Sequence, residues 1–353
     1  MKTSKSSLAR LRLLGQRLLG NSMGTPAEVV SWMLAMQAQD LPGALYSVGL
    51  RMQRPALSKV RAALDSGEVV RSWPMRGTLH LCPAEDLGWM LSLAAPRVIA
   101  SLKTRHRELE ISAADVAKAA ELTLVAAGVP VSREELLTVL SAGGQAVAQQ
   151  RGVHLLGLLC MQGHLVQGPV RGTKQLFVAS EQWITHPREL ERGEALAEYV
   201  RRYFRAHGPA TIKDFCWWTK LTLQDARLGL AAVRQELAVL EVEGEEYFLA
   251  PEVLELPPAS ARSLLLLPGF DEFLLGYADR SAALAAEHAV RIVPGNNGMF
   301  MPTIVYGGRV VGTWRKPQST KGEVELVPFE PLSPAVQRSA ELAAGRYQLF
   351  MKR

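Results

Sequence analysis

The stretch Met36-Gln37-Ala38-Gln39-Asp40, followed by Leu41-Pro42-Gly43, places two glutamines where a helix is predicted to end. Residues two apart cannot share one face of an α-helix, in which successive side chains turn by about 100°. They point the same way only in an extended chain, whose side chains repeat every second residue. Because Pro42 also disfavours helix at Leu41, we expect the helix to stop near Gln37 and both amides to face one cavity.

The helix before this stretch has a clear start. Thr25-Pro26-Ala27-Glu28 has the form of a capping box, with Pro26 at the first helical position. An apolar stripe follows through Val30, Met33 and Leu34. The next member of the stripe falls at position 37, where glutamine breaks the pattern.

Composition is that of an ordinary globular protein. The 353 residues are 48% hydrophobic and 21% charged, with a formal net charge of +6 that permits nucleic acid binding without proving it. The cysteines, Cys82, Cys160 and Cys216, are odd in number and widely spaced, which favours a reducing cytoplasm. The N-terminus is basic and amphipathic, and no run of about eighteen apolar residues occurs, so we expect neither a signal peptide nor a membrane span.

The chain repeats one pattern: helix, short turn, helix, then a two-stranded ribbon. This pattern is typical of winged helices, and it predicts a mainly α fold with β (α+β) made of three tandem winged-helix units. Strands dominate afterwards and predict a β-rich, barrel-like C-terminal domain. The predicted domains are 1–108 (with the glutamine motif), 109–188, 189–254 and 255–353.

Basic residues cluster at the first two ribbons. Residues 51–107 hold ten Lys and Arg against four Asp and Glu, and positive charge near a hairpin tip is what a phosphate backbone selects. The candidate DNA contacts here are Arg71, Arg76, His80, Arg171 and Lys174. His80 has a second interpretation, as a buried histidine bonded to a neighbour.

The third ribbon and the C-terminal hairpins differ from this pattern. Residues 240–248 carry four acids, which repel phosphates, so this ribbon is not expected to touch nucleic acid. A hairpin over 291–306 would place Asn296 and Asn297 at a tip that probes a DNA groove, although Gly-Asn-Asn-Gly is also what a turn requires. Arg315 closes a second, basic hairpin and is a further candidate contact.

Five stretches of this chain resemble the winged-helix DNA glycosylase family of AlkZ and YcaQ. They are Thr25-Pro26 through Gln39-Asp40, Arg76-Gly-Thr-Leu-His80, Leu267-Pro-Gly-Phe-Asp-Glu272, Gly276-Tyr-Ala-Asp-Arg-Ser281 and Gly308-Arg-Val-Val-Gly-Thr-Trp-Arg315. The resemblance implies tandem winged helices that form a concave surface for double-stranded DNA with alkylated bases. It also implies excision of N7-alkylated purines, including unhooking of interstrand crosslinks. The family's motif is glutamine–apolar–glutamine in the AlkZ branch and glutamine–apolar–aspartate in the YcaQ branch, so Gln37 and Gln39 would be catalytic.

The chemistry of two glutamines suits such a substrate. An N7-alkylguanine is cationic and already a good leaving group, so it needs a positioned water and stabilisation of an oxocarbenium-like sugar. Glutamine carbonyls can supply both, but glutamine is not a Brønsted base. We therefore expect narrow chemistry that excludes uracil and oxidised guanine, and no lyase step, because no lysine lies near the motif in sequence.

The carboxylates near these motifs each have two interpretations. Asp40 either accepts a proton from the water or caps the helix that begins at Pro42. Asp271 and Glu272 are either catalytic or engaged in capping and in pairing with Arg280.

The same residues are compatible with two other functions. The alternatives are a non-catalytic winged-helix regulator and a resistance protein that sequesters a genotoxin. His154, Cys160 and His164 lack zinc spacing, no nucleotide-binding glycine-rich loop is present, and Trp217-Trp218 fits a core better than a stacking platform. We expect a monomer that needs no metal, cofactor or nucleotide.

Overall fold

The computed structural model describes residues 4–20, 22–172, 174–257, 262–316 and 322–352. Its helices are α1 Lys5–Gly15, α2 Pro26–Met33, α3 Leu41–Leu50, α4 Leu57–Asp65, α5 Leu87–Ser101, α6 Lys103–Glu108, α7 Ala113–Ala126, α8 Arg133–Ala142, α9 Arg151–Met161, α10 Ser180–Trp183, α11 Arg192–His207, α12 Ile212–Thr219, α13 Leu223–Val233, α14 Glu252–Glu255, α15 Glu272–Leu275, α16 Ala289–Ile292 and α17 Pro334–Lys352. Within the described ranges, no helix combines the length and the apolar character that crossing a bilayer requires.

The strands are shorter and come mostly in hairpins. They are β1 Met36–Gln37, β2 Val69–Met75, β3 Thr78–Pro83, β4 Leu165–Arg171, β5 Lys174–Ala179, β6 Ala238–Val242, β7 Glu245–Leu249, β8 Leu264–Leu267, β9 Thr303–Tyr306, β10 Arg309–Arg315 and β11 Glu325–Pro328. The predicted α+β class, with more helix than strand, is confirmed.

Contacts divide the chain into two compact bodies. Body 1 contains Met1–Val60 and Leu196–Arg353, and body 2 contains Arg61–Ala195. The finer division into three winged helices and a barrel-like domain stays a prediction.

Body 2 carries two antiparallel hairpins, β2–β3 and β4–β5, and β2 pairs with β4 where Arg71 lies opposite Gln167. Its helices α7 and α8 begin with capping boxes at Ser112 and Ser132. Leucines of α8 and α9 pack with Phe177 of β5 in one buried cluster. The helices thus give the hairpins a rigid base.

Body 1 holds an antiparallel sheet in the order β11-β10-β9-β8 and the separate ribbon β6–β7. The predicted hairpin over 291–306 is wrong: the first limb ends helix α16, and Pro294–Asn296 forms a 3₁₀ turn. The apolar run of β8 pairs with β9 instead. Pro294 has no N–H to donate to a ladder, and four successive leucines offer β9 a better partner.

The acids of the third ribbon are matched by cations within body 1. Lys5 contacts Glu243 at 2.7 Å, Lys213 contacts Glu245 at 2.9 Å, and Arg234 contacts Glu246 at 3.5 Å. These exposed pairs add little stability. Glu243 and Glu246 remain more than half exposed, and that this ribbon does not touch nucleic acid stays a prediction.

A buried ion pair joins two distant parts of body 1. Arg51 ends α3, and its Nη1 and Nη2 donate to the two carboxylate oxygens of Asp271 at 3.0 and 3.1 Å. The same guanidinium donates to the backbone carbonyl and the side-chain oxygen of Gln16. Ser47 donates to Asp271 as well, at 2.6 Å. The pair is therefore well supplied with hydrogen bonds, which a buried charge requires.

We predict that Asp271→Asn lowers the free energy of unfolding by about 3–5 kcal/mol, because it leaves the Arg51 charge buried without a counter-charge. Glu245→Gln breaks an exposed pair with Lys213 by the same chemistry and should leave the free energy of unfolding nearly unchanged. Urea unfolding of both variants measures the difference. If both variants lose the same free energy of unfolding, burial does not make the Arg51–Asp271 pair more important for stability than an exposed pair.

Candidate active site

The backbone leaves the helical path just before the two glutamines. Helix α2 ends at Met33, and Leu34 takes a positive φ of 63° while its side chain stays fully buried. Met36 and Gln37 are then extended. The predicted end of the helix before the motif is confirmed, a few residues earlier than expected.

The two glutamine side chains lie side by side. Gln37 Nε2 donates to Gln39 Oε1 at 2.6 Å, so the amides point the same way. Met36 and Ala38, which alternate with them, are buried. Gln37 is only 8% exposed, whereas Gln39 is exposed to solvent. The extended backbone is confirmed at Met36 and Gln37, and the two amides contact each other. That both amides face one cavity stays a prediction.

The buried carboxylate of Glu272 binds the backbone of the motif. The backbone N–H of Gln37 donates to Glu272 Oε1 at 2.8 Å, and Trp218 Nε1 donates to Glu272 Oε2 at 2.8 Å. His207 Nε2 lies 3.5 Å from the same Oε2. Trp218 is fully buried, as predicted for a core residue.

Asp40 does not cap helix α3 with its side chain. It occupies the N-cap position, but its Oδ2 contacts Lys316 Nζ at 2.6 Å instead of a helix N–H. Gly43 leaves room for this carboxylate, because a Cβ at position 43 would lie 2.7 Å from Oδ2. Burial, and then the charge of Asp40, raise the pKa of the Tyr347 phenol. The capping interpretation is therefore wrong for the side chain, and the carboxylate stays beside Gln39 in the chain.

Asp271 and Glu272 both act inside body 1. Asp271 binds Arg51, and it caps α15 by accepting the N–H of Phe273 at 2.9 Å, so its expected capping role is confirmed. Arg280 donates its Nε to the carbonyl of Leu274 at 2.9 Å, and its pairing with a carboxylate stays a prediction. Glu272 reaches the glutamine motif through the motif's backbone.

The basic candidates of body 2 fall into two groups. Arg171 is exposed, and Lys174 is 63% exposed with Glu134 at 3.3 Å. Arg71 is only 9% exposed, and its Nη1 donates to the side chains of Gln167 at 2.6 Å and Gln175 at 3.1 Å. The accessible cations are thus those of the second ribbon, while Arg71 belongs to the sheet.

Arg76 and His80 contact each other across the first ribbon. His80 is fully buried, with Nε2 3.0 Å from Arg76 Nη2 and Nδ1 2.8 Å from the carbonyl of Thr78. Arg76 sits at the turn with a positive φ of 57°. These surroundings agree with the second interpretation of His80, a buried histidine bonded to a neighbour.

The candidates of the C-terminal region are tied to local partners. Asn297 Oδ1 accepts the N–H of Met299 at 2.9 Å, a turn hydrogen bond, and Met299 is exposed. The side chain of Asn296 lies outside what the structure describes. Arg315 contacts Glu325 at 3.0 Å, with both side chains exposed. As DNA contacts, all of these residues stay predictions.

Three residues near the motif had no marker in the sequence that linked them to it: His207, Glu272 as the partner of Gln37, and Lys316. Glu272 lies 235 residues from Gln37 along the chain, so the pairing follows from the fold alone. A carboxylate within the apolar stretch 264–275 is the one signal that pointed to a buried role.

Comparisons with known proteins agree over most of the chain. A family model described as DNA glycosylase AlkZ-like matches residues 30–350. An interstrand DNA cross-link repair glycosylase of Streptomyces sahachiroi is 29% identical over 348 residues, which cover 93% of this chain and 91% of that protein. The solved structure of Streptomyces sahachiroi DNA glycosylase AlkZ superimposes with a TM-score of 0.82 at 28% identity, covering 99% of this chain and 97% of that one.

We predict that Arg171→Ala weakens binding to duplex DNA and lowers the slope of log affinity against log salt by about one, the loss of one phosphate contact. Arg71→Ala should instead lower thermal stability, because the Gln167 and Gln175 carbonyls lose their donor, at a cost of about 1–3 kcal/mol. Fluorescence anisotropy at several salt concentrations and thermal melting separate the two effects. An unchanged salt slope in Arg171→Ala would remove this residue from the DNA contacts.

Proposed function

Because this chain belongs to the AlkZ-like DNA glycosylase family, we propose that it releases cationic N7-alkylated purines from double-stranded DNA with a water held by Gln37 and Gln39. It is a DNA glycosylase, an enzyme that cleaves N-glycosyl bonds, and DNA is its partner. The observation that carries the proposed mechanism is the 2.6 Å hydrogen bond between the two amides, which brings their side chains together.

The two amides can hold a water by their acceptor atoms. In their mutual bond Gln37 donates and Gln39 accepts, and a carbonyl oxygen has two lone pairs. A water that donates to Gln37 Oε1 and to the second lone pair of Gln39 Oε1 would have its own oxygen aimed outward. The same carbonyl dipoles place partial negative charge beside a developing cation on the sugar.

The proposed reaction balances without a general acid. The C1′–N9 bond breaks with its electron pair moving to the cationic base, which leaves as a neutral N7-alkylpurine. The sugar becomes an oxocarbenium-like cation, the held water adds to C1′, and one water proton is lost. Uncharged bases such as uracil leave as anions and need protonation or further stabilisation, which this motif does not supply.

Asp40 is our candidate acceptor for that proton. Its carboxylate follows Gln39 directly in the chain, and Lys316 holds it at 2.6 Å. Glutamine cannot take the proton, whereas a carboxylate can.

The crosslink proposal rests on a relative. The Streptomyces sahachiroi protein, 29% identical over 348 residues, is an interstrand DNA cross-link repair glycosylase by name. We propose that this chain also unhooks interstrand crosslinks formed at N7 of purines. We further propose that it acts as a monomer at the nucleoid, in the cytoplasm, where its DNA substrate lies, without a nucleotide cofactor.

We predict that Gln37→Ala and Gln39→Ala each slow release of N7-methylguanine from a labelled duplex by about 100-fold or more, because the water loses one of its two acceptors. Alkali treatment converts abasic sites to strand breaks that a gel measures. Gln337→Ala is the matched control and should react like wild type, because this half-buried glutamine of α17 only bonds Glu341 at the surface.

The same gel tests the other hypotheses. Breaks without alkali would indicate a lyase, and release of uracil would contradict the narrow chemistry. If wild type leaves methylated DNA intact, the glycosylase mechanism proposed here is wrong. Sequence-specific binding of undamaged duplex would then favour a regulator, and adduct binding without cleavage a sequestering protein.

We predict that Asp40→Asn slows the single-turnover rate by about 100-fold, the scale of a lost general base, without weakening DNA binding. Lys316→Met keeps the Asp40 carboxylate and removes only the ion pair that orients it. The single-turnover rate of this variant should therefore fall less than that of Asp40→Asn. Melting temperatures confirm that both variants fold. A wild-type rate in Asp40→Asn would assign the proton to solvent.

A further inference from the structure

The carboxylate of Glu272 occupies a position that the water mechanism does not use. It is 1% exposed and accepts hydrogen bonds from two separate parts of body 1, the backbone N–H of Gln37 and the indole N–H of Trp218, each at 2.8 Å. It therefore meets the catalytic motif from the protein interior, at the backbone, and leaves the two amides to meet a substrate.

The backbone N–H is an effective point from which to hold the Gln37 side chain. In an extended chain the N–H direction fixes the peptide plane, and the plane fixes the face from which the side chain projects. The motif needs such an anchor, because strand β1 is only two residues long and follows a leucine with a positive φ. By accepting this N–H, the Glu272 carboxylate restrains rotation of the Gln37 peptide plane.

Glu272 is itself held on several sides. Gln16 Nε2 donates to its backbone carbonyl at 3.1 Å, and Asp271 caps the short helix α15 that Glu272 begins. Gly276 at the end of that helix has no room for a Cβ, which would lie 2.7 Å from the Glu272 carbonyl oxygen. A rigid acceptor transmits its own position to Gln37.

The pattern of donors explains why the residue is a carboxylate. Both side-chain oxygens receive N–H groups, and an ionised carboxylate accepts at both oxygens and donates at neither. A glutamine at position 272 has one carbonyl and one NH₂ group. Whichever way its amide turns, one of the two N–H donors, from Gln37 or from Trp218, meets another donor.

We infer that Glu272 is a positioning residue of the glycosylase reaction: by accepting the Gln37 N–H it fixes the peptide plane that aims the Gln37 amide at the catalytic water. This inference rests on the proposed function of Gln37 and Gln39. Glu272 touches neither water nor substrate in this mechanism, so its removal lowers the rate of base release and leaves DNA binding intact.

A double-mutant cycle on Glu272→Gln and Trp218→Phe tests this role. In the wild-type background, Glu272→Gln should slow single-turnover release of N7-methylguanine by about 10- to 100-fold, the cost of a misplaced catalytic group, with the Kd for DNA unchanged. Trp218→Phe removes the competing indole donor, so the carbonyl of the introduced amide can face Gln37. In the Trp218→Phe background, the same Glu272→Gln change should cost less than about threefold, which is strong coupling between the two sites.

Two controls accompany the cycle. Glu341→Gln makes the same chemical change on the exposed face of α17 and should react like wild type. Melting temperatures of all variants show whether a slow enzyme is folded. If the single variant Glu272→Gln does not fold, the double variant Trp218→Phe/Glu272→Gln still tests the inference. Its rate of base release must then lie within about threefold of the rate of Trp218→Phe.

Amide hydrogen exchange at the Gln37 backbone N–H tests the inference without any substrate. Exchange at this amide should be slow in wild type and faster in Glu272→Gln, with recovery in the double variant. If wild type releases no alkylated base but the amide behaves this way, the proposed function fails and only the anchoring stands. A rate unaffected by Glu272→Gln, an equal loss in both backgrounds, or unchanged Gln37 exchange overturns the positioning role.

Discussion

The hydrogen bond from the Gln37 backbone to the buried Glu272 carboxylate joins the glutamine motif to the interior of body 1. Asp271, which precedes Glu272 in the chain, binds Arg51 at the C-terminal end of α3. Two adjacent carboxylates thus contact Gln37 and the end of the helix that follows the motif. Two adjacent charges are costly to bury unless each is fully hydrogen-bonded, and both are supplied here with several donors. The segment 271–272 therefore connects the Gln37 backbone and the end of α3 to the interior of body 1.

The chemistry of an amide pair limits what such a site can do. Glutamine accepts and donates hydrogen bonds but does not take a proton, so it can orient a water and favour a cation without activating the water strongly. That suits a bond whose leaving group already carries positive charge. The adjacent Asp40 is held by Lys316 and does not cap helix α3 with its side chain, so a carboxylate stands next to the motif in the chain.

Positive charge alone does not identify a DNA contact in this protein. Arg71 and Arg171 both lie on the basic hairpins of body 2, yet the first is held by two glutamines and the second is exposed. The same distinction separates the exposed Lys174 from His80, which is buried beside Arg76. Local partners decide whether a cation is available to a phosphate, because a guanidinium already bonded to buried amides must lose those bonds to bind elsewhere.

Local sequence determined the elements of this protein, and the tertiary structure decided their pairing. Interactions between residues a few positions apart explain the capping box at Thr25, the contact between the Gln37 and Gln39 amides, and the start of α12. The predicted hairpin over 291–306 does not form, because β9 pairs with β8, which is distant in sequence and more apolar than residues 291–293. The bond between Gln37 and Glu272 and the contact between Asp40 and Lys316 span more than two hundred residues, and no local pattern records which distant group a folded chain brings to a given donor.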